Sequence, residues 1–193
     1  MDIAKIWDEY TDDNMYTDIG RFPSFLVELC EQYGRYRKDL RILEAGCNVG
    51  NNLAEFVNKP YKIHGIDFTI KAVTQAQERY PNFHISFGDI RTMPYEDNYF
   101  DIVFTRGVLI HIINVHQALD ELIRVTKHGG YIFNFEYDGE DGKPIKWKRG
   151  DNLLWYRDMR KLYSMKKGRV IRHELLPLEI DPNISTMTIF KKI

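Results

Sequence analysis

The segment from Arg41 to Leu53 constrains the fold of this chain more than any other part of its sequence. It reads Arg-Ile-Leu-Glu-Ala-Gly-Cys-Asn-Val-Gly-Asn-Asn-Leu: an apolar run, an acid, a loop of small residues and the start of a helix. A glycine loop between a strand and a helix lets the main chain approach a ligand where a side chain would collide with it. The segment therefore predicts a nucleotide-type cofactor site.

Short apolar runs alternate with helical patterns along the rest of the chain. Strand–helix–strand alternation is typical of a mainly parallel sheet covered on both faces. Two further strands near the end are joined by too short a connection for a crossover helix, so we expect them to pair antiparallel. The predicted strands are 41–44, 62–66, 84–87, 102–105, 131–136, 170–176 and 186–191, and the predicted helices between them are 52–58, 70–79 and 116–126.

This pattern predicts the α/β class: a Rossmann-like, doubly wound, mostly parallel seven-stranded sheet with an antiparallel C-terminal strand and an N-terminal helical lid. We expect one domain over residues 1–193, because this length suits one substantial core. Within it we expect a helical cap at 1–36 with helices at 3–10 and 23–33, a cofactor-binding core at 38–136, and an acceptor-side segment with closing strands at 137–193. Residues 147–163 are predicted to be helical at their centre, and Gly129-Gly130 to end the preceding helix.

Composition restricts the cellular location and the partners that we expect for this chain. No apolar run reaches the roughly 20 residues of a membrane helix, and the acidic first ten residues lack the order of a signal peptide. We therefore expect a cytoplasmic location, no membrane contact and reduced thiols at Cys30 and Cys47. No His/Cys cluster has the spacing of metal ligands, so no metal is expected.

Polar or glycine residues end four predicted strands in succession. In a doubly wound sheet, ligands bind beyond the carboxyl ends of the strands, and an acid about 20 residues past the glycine loop commonly binds ribose hydroxyls. That spacing assigns the ribose to Asp67. The candidate cofactor-binding residues of these four ends are Glu44, Gly46, Cys47, Asn48, Gly50, Asn51, Asp67, Phe68, Asp89, Ile90, Thr105 and Arg106.

The glycine loop also restricts the class of cofactor. A dinucleotide site requires the pattern G-x-G-x-x-G, in which the pyrophosphate lies on the end of the helix. Here Asn48 and Asn51 occupy the second and third glycine positions. A P-loop is excluded because no Gly-Lys-Ser/Thr follows.

Residues 38–136 resemble the class I S-adenosylmethionine-dependent methyltransferases. Glu44-Ala-Gly-Cys-Asn-Val-Gly50 is similar to the first motif of that family, (D/E)-x-G-x-G-x-G, with Asn48 in place of the middle glycine. Asp67 matches the ribose-binding acid, Asp89 matches the adenine-contacting acid, and 93–101 resembles the approach to the fourth strand. The resemblance implies S-adenosylmethionine as the cofactor. Asn48 then either binds its methionine end or shapes the turn.

Two shorter segments are similar to methylases associated with pseudaminic acid and surface-polysaccharide biosynthesis. They are Gly-Cys-Asn-Val-Gly-Asn-Asn-Leu at 46–53 and Gly-Val-Leu-Ile-His-Ile at 107–112. This narrower resemblance implies a small polar acceptor that carries a sugar or a phosphate.

The transferred methyl group leaves a positive sulfonium, so the enzyme has mainly to align the acceptor and exclude water. An oxygen or nitrogen acceptor can also require a base, and His111 after the fourth strand is our candidate, with His116 a weaker one. The alternative for His111 is to cap or pack the following helix. Arg106 either holds a carboxylate of cofactor or acceptor or forms an ordinary salt bridge.

Aromatic and basic residues outside the core are candidates for the lid and the acceptor site. We expect an N-terminal lid over the cofactor, because aromatic faces attract a sulfonium. Its candidate residues are Tyr16 and Arg21 for the cofactor and Tyr10 for the acceptor, while Trp7 either joins this lid or packs in the core. Eleven lysines and arginines against two aspartates lie between 143 and 172, which either focus an anionic ligand or form a solvated face. The candidate acceptor-binding residues there are Lys148, Arg149, Trp155 and Arg157.

The sequence therefore predicts an enzyme that transfers a methyl group from S-adenosylmethionine to O or N of a small anionic or sugar-type metabolite. One alternative is an RNA methyltransferase, which the basic and aromatic segment favours and the net charge of −1 disfavours. Another is a non-catalytic subunit that binds the cofactor and supports a partner enzyme. The sequence does not predict the oligomeric state.

Overall fold

The computed structural model describes Trp7, Thr11 and residues 20–137, 139–145 and 154–193. The strands are β1 Arg41–Ala45, β2 Lys62–Asp67, β3 His84–Phe87, β4 Phe100–Arg106, β5 Thr126–Glu136, β6 Pro144–Ile145, β7 Leu154–Trp155, β8 Gly168–Leu175 and β9 Thr186–Lys192. The helices are α1 Phe22–Tyr33, α2 Ile70–Arg79, α3 Val115–Val125 and α4 Met159–Ser164, with 3₁₀ helices at Asn51–Phe56 and Leu109–His111.

In the described part of the chain, seven strands form one sheet in the order β3-β2-β1-β4-β5-β9-β8. Strands β1 to β5 are parallel to one another, whereas β9 is antiparallel to both β5 and β8. The predicted α/β class, with its mostly parallel sheet and antiparallel C-terminal strand, is confirmed. Strand order reverses between β1 and β4, and this reversal opens a crevice at their carboxyl ends.

The core lies on both faces of the sheet because the central strands are apolar on both faces. Neighbouring residues of β1 point to opposite sides: Ile42 packs with Phe22 and Leu26 of α1, and Leu43 with Leu119 of α3. Continuous apolar runs are typical of parallel strands that are buried twice. The predicted helix at 23–33 is confirmed as α1.

Two predicted boundaries near the site are wrong. The helix expected at 52–58 is a 3₁₀ helix, Asn51–Phe56, since asparagines at its start and Pro60 after its end leave a poor helix former. The pair Gly129-Gly130 does not end a helix; α3 ends at Val125, and the glycines lie inside β5. A register shift between Phe100 and Ile102 marks a bulge there, and the left-handed φ of +76° at Gly129 accommodates it.

The acceptor-side segment also differs from the prediction. The centre of 147–163 is not helical where described: Leu154–Trp155 pairs antiparallel with Pro144–Ile145. The helix begins only at Met159, because the Asp158 side chain accepts a hydrogen bond from the Lys161 amide at 2.9 Å and caps it.

The predicted helix at 3–10 lies outside the described residues except for Trp7. Trp7 is helical, as is Thr11, whose hydroxyl donates to the Trp7 carbonyl at 2.8 Å. Among the described helices, none has both the length and the apolar character needed to cross a bilayer.

Candidate active site at the carboxyl edge of the sheet

The loop after β1 is fixed between β2 and the turn after β4. The amides of Gly46 and Cys47 both donate to the Ile66 carbonyl, at 2.8 and 3.0 Å. Gly46 has φ +83°, and a Cβ at this position would lie 2.5 Å from a methyl group of Val108. Glycine is required here for both its conformation and its size. The Cys47 thiol is buried against Gly65 of β2, and burial raises its pKa.

Asn48 adopts the left-handed conformation that a glycine would take in this loop. Its φ is +45°, which asparagine tolerates better than most residues. Its amide donates to Asp67 at 2.8 Å, and its side-chain oxygen accepts from the Val49 amide at 2.7 Å. The Asn48 side chain therefore shapes the turn, which is one of the two roles the sequence left open.

Asp67 ends β2 and faces the loop. Its carboxylate accepts from the amides of Asn48 and Thr69, at 2.8 and 2.9 Å. Burial raises the pKa of Asp67, and these amide hydrogen bonds act against that rise. The Thr69 hydroxyl and the Phe68 amide also donate toward this carboxylate, so the protein itself supplies several donors to Asp67.

Glu44 and Asn52 form the most distinctive pair of the edge. The Asn52 amide group donates to Oε1 of Glu44 at 2.5 Å, in a place where Glu44 is fully buried and Asn52 is 8 % exposed. Within the described part of the chain, Oε2 of Glu44 and Oδ1 of Asn52 have no hydrogen-bond partner. Desolvation raises the pKa of Glu44 to about 8. Two buried acceptors without donors indicate a site for a ligand that carries N–H groups or positive charge.

The sequence prediction named Asn51 and missed Asn52. The Asn51 side chain instead accepts from the Arg79 guanidinium at 2.7 Å, away from Glu44. A 3₁₀ turn places consecutive residues about 120° apart, so only one of two adjacent asparagines can face β1. The register of the turn could not be taken from the sequence.

An exposed aromatic ring, that of Phe68, follows β2, and an acid paired with an arginine, Asp89, follows β3. Phe68 is 38 % exposed beside Asp67, and Ile90 is buried. Asp89 binds the Arg91 guanidinium through both carboxylate oxygens, and this hydrogen bonding lowers the pKa of Asp89. Asp89 is therefore charged at neutral pH, with Arg91 already beside it.

Arg106 is the first correction among the predicted cofactor residues. Its guanidinium binds both carboxylate oxygens of Asp181, at 2.5 and 2.8 Å, and lies over the Phe22 ring. Asp181 is fully buried, so the pair is internal and the Arg106 charge is already balanced. The salt bridge that the sequence left as an alternative is what the structure has.

Thr105 is the second correction. It is fully buried on β4, where its hydroxyl donates to Glu136 at 3.1 Å and accepts from Asn134 at 2.8 Å. Because side chains alternate along a strand, Thr105 points into the protein and not toward the edge. Its hydroxyl is therefore hydrogen-bonded within the protein.

His111 lies in the turn after β4, on the same side of the molecule as Phe68. The Trp7 ring contacts both edge-on, with centroid distances of 4.6 Å to His111 and 6.5 Å to Phe68. The ends of β2 and β4 therefore meet at Trp7, which covers the edge between them. His116, the weaker candidate, is exposed on α3.

Arg157 is the third correction, since it was predicted to bind the acceptor. It is only 3 % exposed, and its guanidinium donates to the carbonyls of Leu109 and Ile112 and pairs with Asp141. Trp155 is half-buried, with the Arg157 guanidinium 5.9 Å from its ring centre. Arg21 is exposed at the start of α1. Tyr10, Tyr16, Lys148 and Arg149 lie outside the described residues.

Two buried acids of the site region were also missed by the sequence analysis. Glu136 ends β5 and would have been found by applying the strand-end rule to a fifth strand. Asp181 lies in an Asp-Pro-Asn turn that predicts only a loop, so nothing in the sequence indicated its partner.

Comparison with known proteins shows that this chain is similar to methyltransferases. Residues 43–134 match the family model described as a methyltransferase domain. A curated Schizosaccharomyces pombe protein, named as an uncharacterized methyltransferase, is 33% identical over 126 residues, 58% of this chain and 45% of the relative. The demethylmenaquinone methyltransferase of Renibacterium salmoninarum is 27% identical over 106 residues, 55% of this chain and 45% of the relative.

A solved structure supports the same fold over nearly the whole length. It is a chain from the complex between the Haloferax volcanii Trm112 methyltransferase activator and a methyltransferase. The TM-score is 0.71, with 15% sequence identity, covering 95% of this chain and 96% of that chain.

The chain spans less than half the length of the curated relatives that it first matches. The family match and the names of the relatives support an S-adenosylmethionine-dependent methyltransferase, with S-adenosylmethionine as the cofactor.

Proposed function

We propose that this S-adenosylmethionine-dependent methyltransferase core transfers the methyl group to an oxygen or nitrogen atom of a small acceptor that is anionic or sugar-like. The observation that carries the cofactor site is the buried pair of acceptors without donors, Oε2 of Glu44 and Oδ1 of Asn52. They lie at the glycine loop that follows β1, and an ammonium group would satisfy both oxygens at once.

The other residues of the edge suit the remaining parts of the cofactor. Asp67 stands at the end of β2, where an acid commonly accepts from ribose hydroxyls, and the exposed Phe68 ring offers a face beside it. Asp89 stands at the end of the next strand with its charge maintained by Arg91. When bound, the cofactor supplies a methyl group on a positively charged sulfur. The edge of the Trp7 ring lies against Phe68 and His111, so Trp7 can shield this region from water.

His111 is the proposed base. As the methyl group bonds to the acceptor atom, the proton leaving that atom passes to an imidazole nitrogen of His111. Histidine suits this step because it changes charge near neutral pH. The position of His111, near Trp7 and across the crevice from Phe68, supports the assignment.

The class of acceptor rests on two sequence features. The resemblance of 46–53 and 107–112 to methylases of surface-polysaccharide pathways supports a sugar-type acceptor, and the excess of basic residues between 143 and 172 supports an anionic one. Arg157 no longer contributes to the second argument, because its guanidinium is bound within the protein.

Titration calorimetry with S-adenosylmethionine and its demethylated product tests the cofactor site. We expect micromolar dissociation constants for the wild type and at least tenfold weaker binding for Glu44→Gln, which keeps the shape but loses the charge. Glu31→Gln is the matched control, since Glu31 pairs with Lys59 on the surface. No binding by the wild type would overturn the cofactor assignment.

A labelled methyl group then tests the acceptor. We expect transfer to some members of a panel of phosphorylated and nucleotide-linked sugars and small anionic metabolites. A parallel arm contains total RNA. Label on RNA alone would replace the proposal by the RNA-methylating alternative, and cofactor binding with no transfer in either arm would favour the non-catalytic subunit.

A further inference from the structure

The turn that carries His111 is bound on its amide side by one buried carboxylate. The amides of Val108, Leu109 and Ile110 all point at Glu136, with nitrogen–oxygen distances of 3.3, 3.1 and 3.4 Å. Glu136 is fully buried, and desolvation raises its pKa to about 7. The turn thus supplies most of the donors that this carboxylate requires.

The same turn is bound on its carbonyl side by one buried guanidinium. Arg157 donates through Nε to the Leu109 carbonyl at 2.9 Å and through Nη2 to the Ile112 carbonyl. Its third contact is Asp141, at 3.5 Å. A planar guanidinium has donors in a fixed fork, so two carbonyls held by it cannot move independently.

Both charges are connected to the acceptor-side segment. Arg157 directly follows the β7 region and precedes α4. Glu136 accepts from Thr105, which accepts from Asn134, which in turn accepts from the hydroxyl of Tyr163 in α4. The segment 154–164 therefore reaches the His111 turn by two routes, one through a cation and one through a chain of neutral groups.

Burying a carboxylate and a guanidinium is costly, and apolar residues of similar size would often stabilise a core at least as well. Stability alone therefore does not account for two buried charges that both end on one five-residue turn, 108–112. A need to fix the position of that turn accounts for them, because a displacement of about 1 Å at a reacting group can reduce a rate by about a hundredfold.

We infer that Glu136 and Arg157 are positioning residues that hold His111 at the acceptor and link its turn to the segment 154–164. The inference rests on the proposed role of His111 as the base. It adds that the orientation of this base is set by two residues that touch neither cofactor nor acceptor.

Two conservative variants test it. Glu136→Gln keeps the size but replaces one acceptor oxygen with a donor that opposes the amides of the turn. Arg157→Lys keeps the charge but loses the fork. We expect kcat to fall about ten- to a hundredfold in each, with the dissociation constant of the demethylated cofactor within about threefold of the wild type.

A second readout needs neither cofactor nor turnover. The chain has six histidines, and their ring signals can be assigned by NMR with His111→Gln as the reference. We expect the His111 signal to shift or broaden in both variants, while the signals of His64 and His84, which stack on each other at the other end of the β2–β3 pair, stay unchanged.

Arg124→Lys is the matched control. Arg124 is also a fork on two carbonyls, those of Met93 and Tyr95, but it lies at the end of α3 and away from His111. An equal change of the His111 signal in Arg124→Lys would overturn the inference, as would an unchanged His111 signal in both test variants. If Glu136→Gln or Arg157→Lys does not fold, Tyr163→Phe replaces it, since it removes only the end of the chain of hydrogen bonds and keeps the ring stacked on Phe190.

Failure of this inference and of the proposed function can be told apart. A wild type that binds no cofactor or transfers no methyl group overturns the proposed function, whatever the NMR spectra show. An unaltered His111 signal overturns the positioning role even if the wild type is active.

Discussion

At the scale of single residues, the ionisable groups at the carboxyl edge of the sheet differ in whether they have a partner of opposite charge. Arg106 has Asp181, and Asp89 has Arg91. Among the described residues, Glu44 is hydrogen-bonded only by the neutral side-chain amide of Asn52, and burial disfavours its ionised form until a cation arrives. The paired groups stabilise the fold, whereas the carboxyl group of Glu44 is available to a ligand.

The raised pKa of Glu44 makes stability depend on pH. Its folded-state pKa is about 8 against an ordinary 4.5, so between these values the folded protein holds a proton that the unfolded chain has lost. Stability from this group is therefore full below about pH 4.5 and falls as pH rises toward 8. We expect Glu44→Gln to gain stability relative to the wild type over this window, by a few kcal/mol at its upper end.

Denaturant unfolding of both proteins between pH 5 and pH 8.5, without cofactor, measures this difference. Glu136 titrates in a similar window, but it is present in both proteins and cancels in the comparison. A difference that does not change with pH would show that Glu44 is already ionised in the folded protein.

Asp67 is expected to contribute to cofactor affinity through hydrogen bonds. Asp67→Asn should weaken binding of the demethylated cofactor by roughly 1–3 kcal/mol, because one oxygen becomes a donor that faces the Asn48 amide. Asp39→Asn is the control, since Asp39 is an exposed partner of Arg37. Equal affinities of wild type and Asp67→Asn, measured by calorimetry, would remove Asp67 from the site.

His111→Ala separates chemistry from binding. If His111 takes the proton, the variant should lose most of its kcat while its affinity for the cofactor stays within about threefold. The comparison requires single-turnover rates with an identified acceptor, together with calorimetry. Full activity in His111→Ala would assign this histidine to the structure of the turn.

At the scale of elements, the contact between the loop after β1 and the turn after β4 limits the size of the side chain that position 46 can hold. Gly46 and Gly129 both have left-handed φ values, +83° and +76°, but a Cβ at Gly46 would meet Val108 whereas one at Gly129 would meet nothing within 4 Å. A substitution at Gly129 therefore tests backbone strain alone, whereas one at Gly46 tests backbone strain together with close packing.

We expect Gly46→Ala to cost more stability than Gly129→Ala. The latter should lose about 1 kcal/mol through its backbone alone, and the former an additional 1–3 kcal/mol or so from overpacking. The double variant Gly46→Ala/Val108→Ala should recover part of the additional loss. Equal free energies of unfolding for the two single variants would contradict the contact.

The sequence predicted the buried parallel strands well and the short elements poorly. Apolar runs such as Ile42–Leu43 are stable only when buried, and they predict strands directly. The rule that ligands bind at strand ends predicted Glu44 and Asp67 as site residues. The 3₁₀ turn and the β6–β7 pair are too short for periodicity to define them. Partners distant in sequence, as in Arg106–Asp181 or Arg157–Leu109, depend on how finished elements pack, which no local pattern contains.

At the scale of the whole molecule, buried ion pairs tie the late part of the chain to the early sheet. Arg106 ends β4 and Asp181 lies in the connection between β8 and β9. We expect Asp181→Ala to destabilise the protein by roughly 3–5 kcal/mol, because it leaves a nearly buried guanidinium without its partner. Arg106→Met/Asp181→Ala should be more stable than Asp181→Ala. Denaturant unfolding checks the order, and the reverse order would mean that Arg106 finds another partner.

The place of β9 in the sheet has a consequence for synthesis on the ribosome. Strand β9 follows the other strands of this described sheet in the sequence, yet it lies between β5 and β8. While residues 186–192 are still inside the exit tunnel, β5 therefore presents an open edge that includes Phe133 and Phe135, and β8 has no strand to join. An unpaired apolar edge is a target for chaperones and a risk for aggregation. The seven-stranded sheet can close only after translation of β9.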